Sequence, residues 1–223
     1  MGKFYERFLE KETVTGMIFD VDGTILDSMP VWAHSGERYL ETLGIHAPAT
    51  LGRTLFSLTM QQGARYIKET YELTQSAEEI RAGIIQTVVD AYRQETGFKP
   101  SAQEFLRELH QAGIPMIIVT SNDRPLVEAA FERLKIRSYF ADILTCGEFG
   151  SGKDHPEIFY AAAEKIHSET AGTWVVEDGL YAIRTAKEAG FRTIGIADAS
   201  SREDETQIEK LADYFLTDYA QDI

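Results

Sequence analysis

The sequence predicts an α/β fold: a doubly wound parallel sheet with an all-helical subdomain inserted after its first strand. Three observations predict it. Short apolar runs alternate with amphipathic helical segments over much of the 223 residues. Those runs lack the in/out alternation of a half-solvated sheet, as strands covered on both faces do. Between Met29 and Phe98 the alternation stops, and only helical patterns remain.

The first strand is read in "VTGMIF" (14–19). Three helical patterns follow in the insert, "MPVWAHSGERYLETLG" (29–44), "SLTMQQGARYIKETYEL" (57–73) and "SAEEIRAGIIQTVVDAYRQE" (76–95). The third opens on a capping box, Ser76 with Glu79, and carries an apolar stripe of Ile80, Ile84 and Val88. A second capping box, Ser101 with Glu104, is read at the head of "SAQEFLRELHQAG" (101–113), with Gly113 as its stop. Then come a strand at 115–119, a helix after Asp123 with Pro125 in its first turn, and a strand at 142–146. A helix in "DHPEIFYAAAEKI" (154–166), a strand at 173–177, a helix ending at Gly190 and a strand at 192–197 complete the pattern. Hinges between the two parts are expected at Ser28–Pro30 and Gly97–Pro100.

Charge narrows the function classes. A net charge of −14 argues against a non-specific partner of nucleic acid or of anionic membrane. The opening "MGKFYERFLEKE" has no apolar stretch of the kind a signal peptide needs, and Glu6 stands where a myristoylation motif takes Ser or Thr. "IPMIIV" is too short to span a bilayer, and one cysteine, Cys146, permits no internal disulfide. A soluble, cytoplasmic protein without a membrane partner is the expectation.

Four places carry chemistry. "FDVDGT" puts Asp20 and Asp22 two apart at a strand end, where residues of that spacing share a side. Two carboxylates 4 Å apart repel by roughly 4 kcal/mol at an effective dielectric of about 20, so a hard cation between them is one explanation and a surface Asp-Gly turn is another. Thr120 and Ser121 end a later strand just before a helix, as an anion site or as simple caps. Lys153 lies in the Gly-rich "GSGKDH", and Glu177 with Asp178 closes "WVVED". Ligands of a doubly wound sheet bind beyond the carboxyl ends of its strands, and all four places fall there.

In order and spacing, "DVDGT" (20–24), Thr120, Lys153 and "ED" (177–178) resemble the four motifs of the haloacid dehalogenase superfamily. The helical insert resembles that of its subclass with a small helical cap, and "TILDS" and "AGF" those of its phosphatase and β-phosphoglucomutase branch. The resemblance implies a Rossmann-like catalytic core, residues 1–28 and 98–223, and a substrate-selecting cap, residues 29–97. It implies Asp20 as the nucleophile that forms an aspartyl-phosphate, and Asp22 as general acid and then base. Gly23, Thr24, Thr120, Ser121, Asn122 and Lys153 would hold phosphate oxygens. Mg²⁺ would be held by Asp20, Asp22 (through its carbonyl), Asp178 and Glu177. The substrate would be a small phosphorylated metabolite, touched from the cap by Arg53 and Trp32.

Rival readings are weaker. Dehalogenases of the superfamily carry Tyr where Asp22 stands. "GEFGSGKD" (147–154) fits a P-loop up to its lysine, but Asp154 replaces the required Ser or Thr. A response-regulator receiver is about half as long and lacks both the insert and an acid beside its aspartate. A β-phosphoglucomutase-like mutase is the main alternative, although such enzymes bear a His near the position of Trp32. A catalytically idle phosphate-binding protein is the other.

Overall fold

The computed structural model describes residues 4–48, 50–56 and 58–221. The chain divides into two compact units, one of residues 1–27 and 97–223 and one of residues 28–96. The first contains α1 (Phe4–Lys11) and β1 (Gly16–Phe19). The second contains α2 (Met29–Ala33), α3 (Ser35–Thr42), α4 (Leu51–Phe56), α5 (Met60–Thr70) and α6 (Ala77–Gln94). The chain then returns to the first through α7 (Ala102–Gln111), β2 (Met116–Thr120), α8 (Arg124–Arg133), β3 (Phe140–Thr145) and α9 (Cys146–Phe149). It closes with α10 (Glu157–Lys165), β4 (Thr173–Glu177), α11 (Leu180–Glu188), β5 (Arg192–Ile196), α12 (Glu205–Leu211) and β6 (Tyr214–Leu216).

The six strands form one parallel sheet in the order β3-β2-β1-β4-β5-β6. The predicted α/β doubly wound fold is the observed one. The order runs outward from β1 one way, then restarts from β4 the other way, which puts the topological switch point beside β1. Register places Phe19 opposite both Ile118 and Val176, so the chain ends of β1, β2 and β4 open onto one rim.

Alternate residues feed two cores. Ile18, Ile117, Val119 and Val175 pack with Ile158, Phe159 and Ala162 of α10 and with Ala182 and Ala186 of α11. On the other face Phe19, Phe105, Phe8 and Trp174 build an aromatic layer, with Phe8 edge-on to Trp174 at 4.7 Å between centroids. β1, β2 and β4 are buried along their whole length, which explains their unbroken apolar runs.

Four local expectations change. Ser101 does not cap α7 with Glu104: its φ is +57° and its side chain makes no cap hydrogen bond. The chain re-enters the first unit beside Ile25, where the Lys99 N–H donates to the Ile25 carbonyl at 2.9 Å, and this turn sets the backbone of Ser101. The pattern read as one helix over 29–44 breaks at His34 into α2 and α3, and "LGRTLF" (51–56) forms α4. The amino-terminal segment, read only as charged, is helix α1 with Phe4, Tyr5 and Phe8 buried. The edge strand β6 has three residues, too few to show a period.

Within the helical unit, Tyr39, Leu40, Leu51, Ala64, Ile67, Ile80 and Ile84 form a core of their own. Its capping box at Ser76 and Glu79 forms as expected, and Thr59 with Gln62 makes another at the head of α5. No helix among the described residues is long and apolar enough to cross a membrane.

Candidate active site

Asp20 is the first residue beyond β1, and its N–H still donates to the Val176 carbonyl at 3.0 Å. That bond carries the sheet's register one residue past the strand and points Asp20 into the rim, where it is 5% exposed. The next residues fold back on themselves. The Ile25 and Leu26 N–H groups both donate to the Val21 carbonyl, and the Gly23 N–H donates to the Leu26 carbonyl.

Gly23 has φ +81°, and a Cβ there would fall 2.8 Å from Oδ2 of Asp178. Only glycine serves, for its left-handed backbone and for the close approach. Thr24 is fully buried, and its hydroxyl donates to Oδ1 of Asp178 at 3.3 Å. The hydroxyl of Tyr219 donates to the Thr24 carbonyl at 3.1 Å, so the carboxy-terminal segment braces this loop.

Thr120 ends β2 and is buried, with its Oγ1 accepting the Asn122 N–H at 3.0 Å. Nδ2 of Asn122 donates to Oδ2 of Asp22 at 2.8 Å. Asp22 is therefore held from the end of β2, away from the carboxylates described next. Ser121 is exposed, with its Oγ 3.6 Å from Sγ of Cys146.

Lys153 comes in from the Gly-rich loop before α10 and is buried. Its Nζ lies 2.5 Å from Oδ1 of Asp20 and is hydrogen-bonded to Oε1 of Glu177 as well. Burial works against the ammonium, but the carboxylates of Asp20 and Glu177 outweigh it and hold its pKa well above the ordinary lysine value. Glu177 also accepts the Gly179 N–H at 2.9 Å. Burial is the main cause that raises the Glu177 carboxyl to about 7. The Asp178 carboxyl is also pushed well above its usual range, by burial first and then by Glu177 and Asp20.

One carboxylate oxygen from each of Asp20, Glu177 and Asp178 lies within 4.8 Å of the others. Three buried acids share a single ammonium, so the cluster lacks positive charge. A divalent cation supplies it, and an all-oxygen donor set suits Mg²⁺. The residues present fit the ion.

The structure thus brings together Asp20, Asp22, Gly23, Thr24, Thr120, Ser121, Asn122, Lys153, Glu177 and Asp178 at one end of the sheet. The carboxylate of Asp22 is not among the three clustered ones. Arg53 and Trp32 belong to the helical unit. Arg53 is exposed on α4, while Nε1 of Trp32 donates to the Tyr92 hydroxyl at 2.9 Å, inside that unit's own packing.

A supporting layer escaped the sequence reading. Ser201 donates to Oδ2 of Asp178 at 2.9 Å. Asp198, just beyond β5, accepts from Lys99 Nζ at 2.7 Å and from Ser200. Burial alone would raise the Asp198 carboxyl, but the bonds from Lys99 and Ser200 hold it below the usual range. Its place at a strand's carboxyl end was a usable signal; for Tyr219 no signal existed.

The profile of the family described as "Haloacid dehalogenase-like hydrolase" matches residues 17–196. A phosphoglycolate phosphatase of Vibrio parahaemolyticus is 28% identical over 198 residues, which cover 84% of this chain and 86% of that one. Two solved structures share the fold at lower identity. CbbY from Rhodobacter sphaeroides, in complex with xylulose-(1,5)bisphosphate, has a TM-score of 0.71 at 21% identity, over 93% of this chain and 96% of that one. A beta-phosphoglucomutase from Clostridium difficile has a TM-score of 0.63 at 18% identity, over 93% of this chain and 92% of that one. The family match spans the first acid pair, Thr120, Lys153 and the Glu177–Asp178 pair, and so the chain is an enzyme of the haloacid dehalogenase-like hydrolase family.

Proposed function

We propose that this enzyme is a Mg²⁺-dependent phosphatase that hydrolyses a small phosphomonoester, a sugar phosphate or similar metabolite, through an aspartyl-phosphate on Asp20. The observation that carries the proposal is the buried Asp20–Lys153–Glu177 cluster, with Asp22 held apart by Asn122. It separates a nucleophile paired with a cation from an acid on the neighbouring loop.

A carboxylate oxygen of Asp20 attacks phosphorus as the bond to the ester oxygen breaks, and Asp22 protonates the departing alcohol. Asp22 then takes a proton from water, which attacks the acyl phosphate, frees orthophosphate and restores Asp20. Lys153 neutralises Asp20 and the phosphoryl oxygens, and Thr120 with Ser121 and Asn122 donates to those oxygens. Gly23 and Thr24 lend the close backbone of the loop. Mg²⁺, held by Asp20, Asp178 and the Asp22 carbonyl with Glu177 beside them, offsets charge that one lysine cannot. Residues 28–96 are assigned to substrate choice, with Arg53 as the contact.

The test is phosphate release from a panel of phosphomonoesters, with and without Mg²⁺. Wild type should release phosphate only with metal, and Asp20→Asn should lose roughly 10³-fold or more in kcat. Hexose 1- and 6-phosphate interconversion with no net release would favour a mutase instead. No turnover of any kind would leave a phosphate-binding role.

A further inference from the structure

Tyr181 is the second residue of α11 and is 50% exposed, unusual for so large a ring. Its ring lies against Gly179: a Cβ at that glycine would fall 3.1 Å from Cε1 of Tyr181 and 3.3 Å from Oε2 of Glu177. A side chain at 179 would press on the ring. The phenolic hydroxyl is hydrogen-bonded to Ser121.

Sheet order gives that bond its meaning. Tyr181 follows β4 and Ser121 follows β2, while β1 runs between these two strands. A side chain reaching from one to the other passes the end of β1, where Asp20 begins the active loop. Lys153, Glu177 and Asp20 all act electrostatically on the phenol, which confirms that it stands beside the cluster. Burial raises the Tyr181 hydroxyl above its ordinary value despite the pull of Lys153, so it keeps its proton at neutral pH and can donate it in a hydrogen bond.

A phosphate dianion arriving at this rim meets Asp20, Asp22, Glu177 and Asp178 and a single buried lysine. It needs further donors, and a neutral phenol supplies one without upsetting the charge that holds Lys153 on Asp20. We propose that Tyr181 is a phosphate-binding residue, donating its hydroxyl to a phosphoryl oxygen beside Lys153, with Ser121 holding the ring in place between turnovers. The assignment rests on the phosphomonoester reading for its biological substrate, but not for the contact itself.

The test is calorimetric titration of inorganic phosphate into the full chain with saturating Mg²⁺, comparing wild type with Tyr181→Phe. This variant keeps the ring against Gly179 and removes only the hydroxyl. Phosphate affinity should fall about 10-fold. The same 10-fold loss should appear when Tyr181→Phe is added to Ser121→Ala, because the hydroxyl itself meets the anion. Undiminished phosphate affinity in Tyr181→Phe overturns the assignment, even if the wild type hydrolyses monoesters. So does a loss that vanishes in the Ser121→Ala background, which would mean that Tyr181 acts only through Ser121. Tyr181-dependent phosphate binding in a wild type with no hydrolysis would support the contact while removing the phosphatase reading.

Discussion

Nδ2 of Asn122 donates to Oδ2 of Asp22 at 2.8 Å, joining the loop after β2 to the loop after β1 across 100 residues of sequence. The amide holds this carboxylate off the buried acids clustered around Lys153. Two aspartates at a spacing of two are thereby given different surroundings, as different roles require.

Substitution of the pair should separate acid catalysis from placement. Asp22→Asn is expected to lower kcat by roughly 10²- to 10⁴-fold on alkyl phosphates, and by far less on p-nitrophenyl phosphate, whose leaving group needs no proton. Asn122→Ala should lower kcat less and shift the acid limb of the pH–rate profile. Steady-state kinetics on the two esters across pH would show both. Equal losses on both esters would remove the acid from Asp22.

The approach of Gly23 to Asp178 makes the metal site sensitive to one methyl group. Gly23→Ala places a Cβ 2.8 Å from Oδ2 of Asp178 on a backbone with φ +81°. It should cost about 1–3 kcal/mol of stability and weaken Mg²⁺ binding. Asp178→Asn should weaken the ion further while the fold is kept. Titration of Mg²⁺ by calorimetry measures both, and chelation by EDTA should abolish turnover in the wild type, reversibly.

Lys153 is needed for stability as well as chemistry. Lys153→Met leaves Asp20 and Glu177 buried without their ammonium, and breaking such a pair typically costs about 3–5 kcal/mol. Added Mg²⁺ should recover part of that loss by supplying the missing charge. Urea unfolding with and without the ion reads the difference. An unchanged midpoint in metal-free buffer would show that the cluster is not the buried ion network described.

Far from the rim, Asp213 ties the edge of the sheet. Its Oδ2 accepts from Lys187 Nζ at 2.9 Å and from the Thr193 N–H at 2.8 Å, and its Oδ1 from Arg192 at 3.0 Å. Burial opposes its charge, but the Lys187 and Thr193 bonds and the two cations hold its pKa below the ordinary carboxylate value. The folded pKa lies below the unfolded one, so this stabilisation is complete above about pH 4 and is lost as pH falls through the folded value. Asp213→Asn should lower stability by about 1–3 kcal/mol at pH 7 and flatten the acid limb of the stability profile. Denaturant midpoints from pH 7 to pH 3 give that curve.

Strand starts and helix faces were legible because burial on both faces writes unbroken apolar runs, as in "MIIV" (116–119) and "TWVVE" (173–177). Local rules failed where distant contacts set the backbone. Ser101 has the residues of a capping box, yet the return of the chain beside Ile25 turns it left-handed. Helix α1 shows few sequence signals because its stabilisation comes from Phe4 and Phe8 packing on Phe105, Trp174 and Tyr214.

By itself the sequence determined the layer architecture, the helical insert and the chemical types of Asp20, Asp22, Thr120, Lys153, Glu177 and Asp178. These follow from hydrophobic periodicity and from residue spacing, which are local properties of the chain. Only the tertiary structure decided which acids share Lys153, that Asn122 takes Asp22, and that Tyr181 reaches Ser121 past the end of β1. Those pairings join segments 24 to 133 residues apart, and only the strand order of a folded sheet brings such segments within hydrogen-bonding distance.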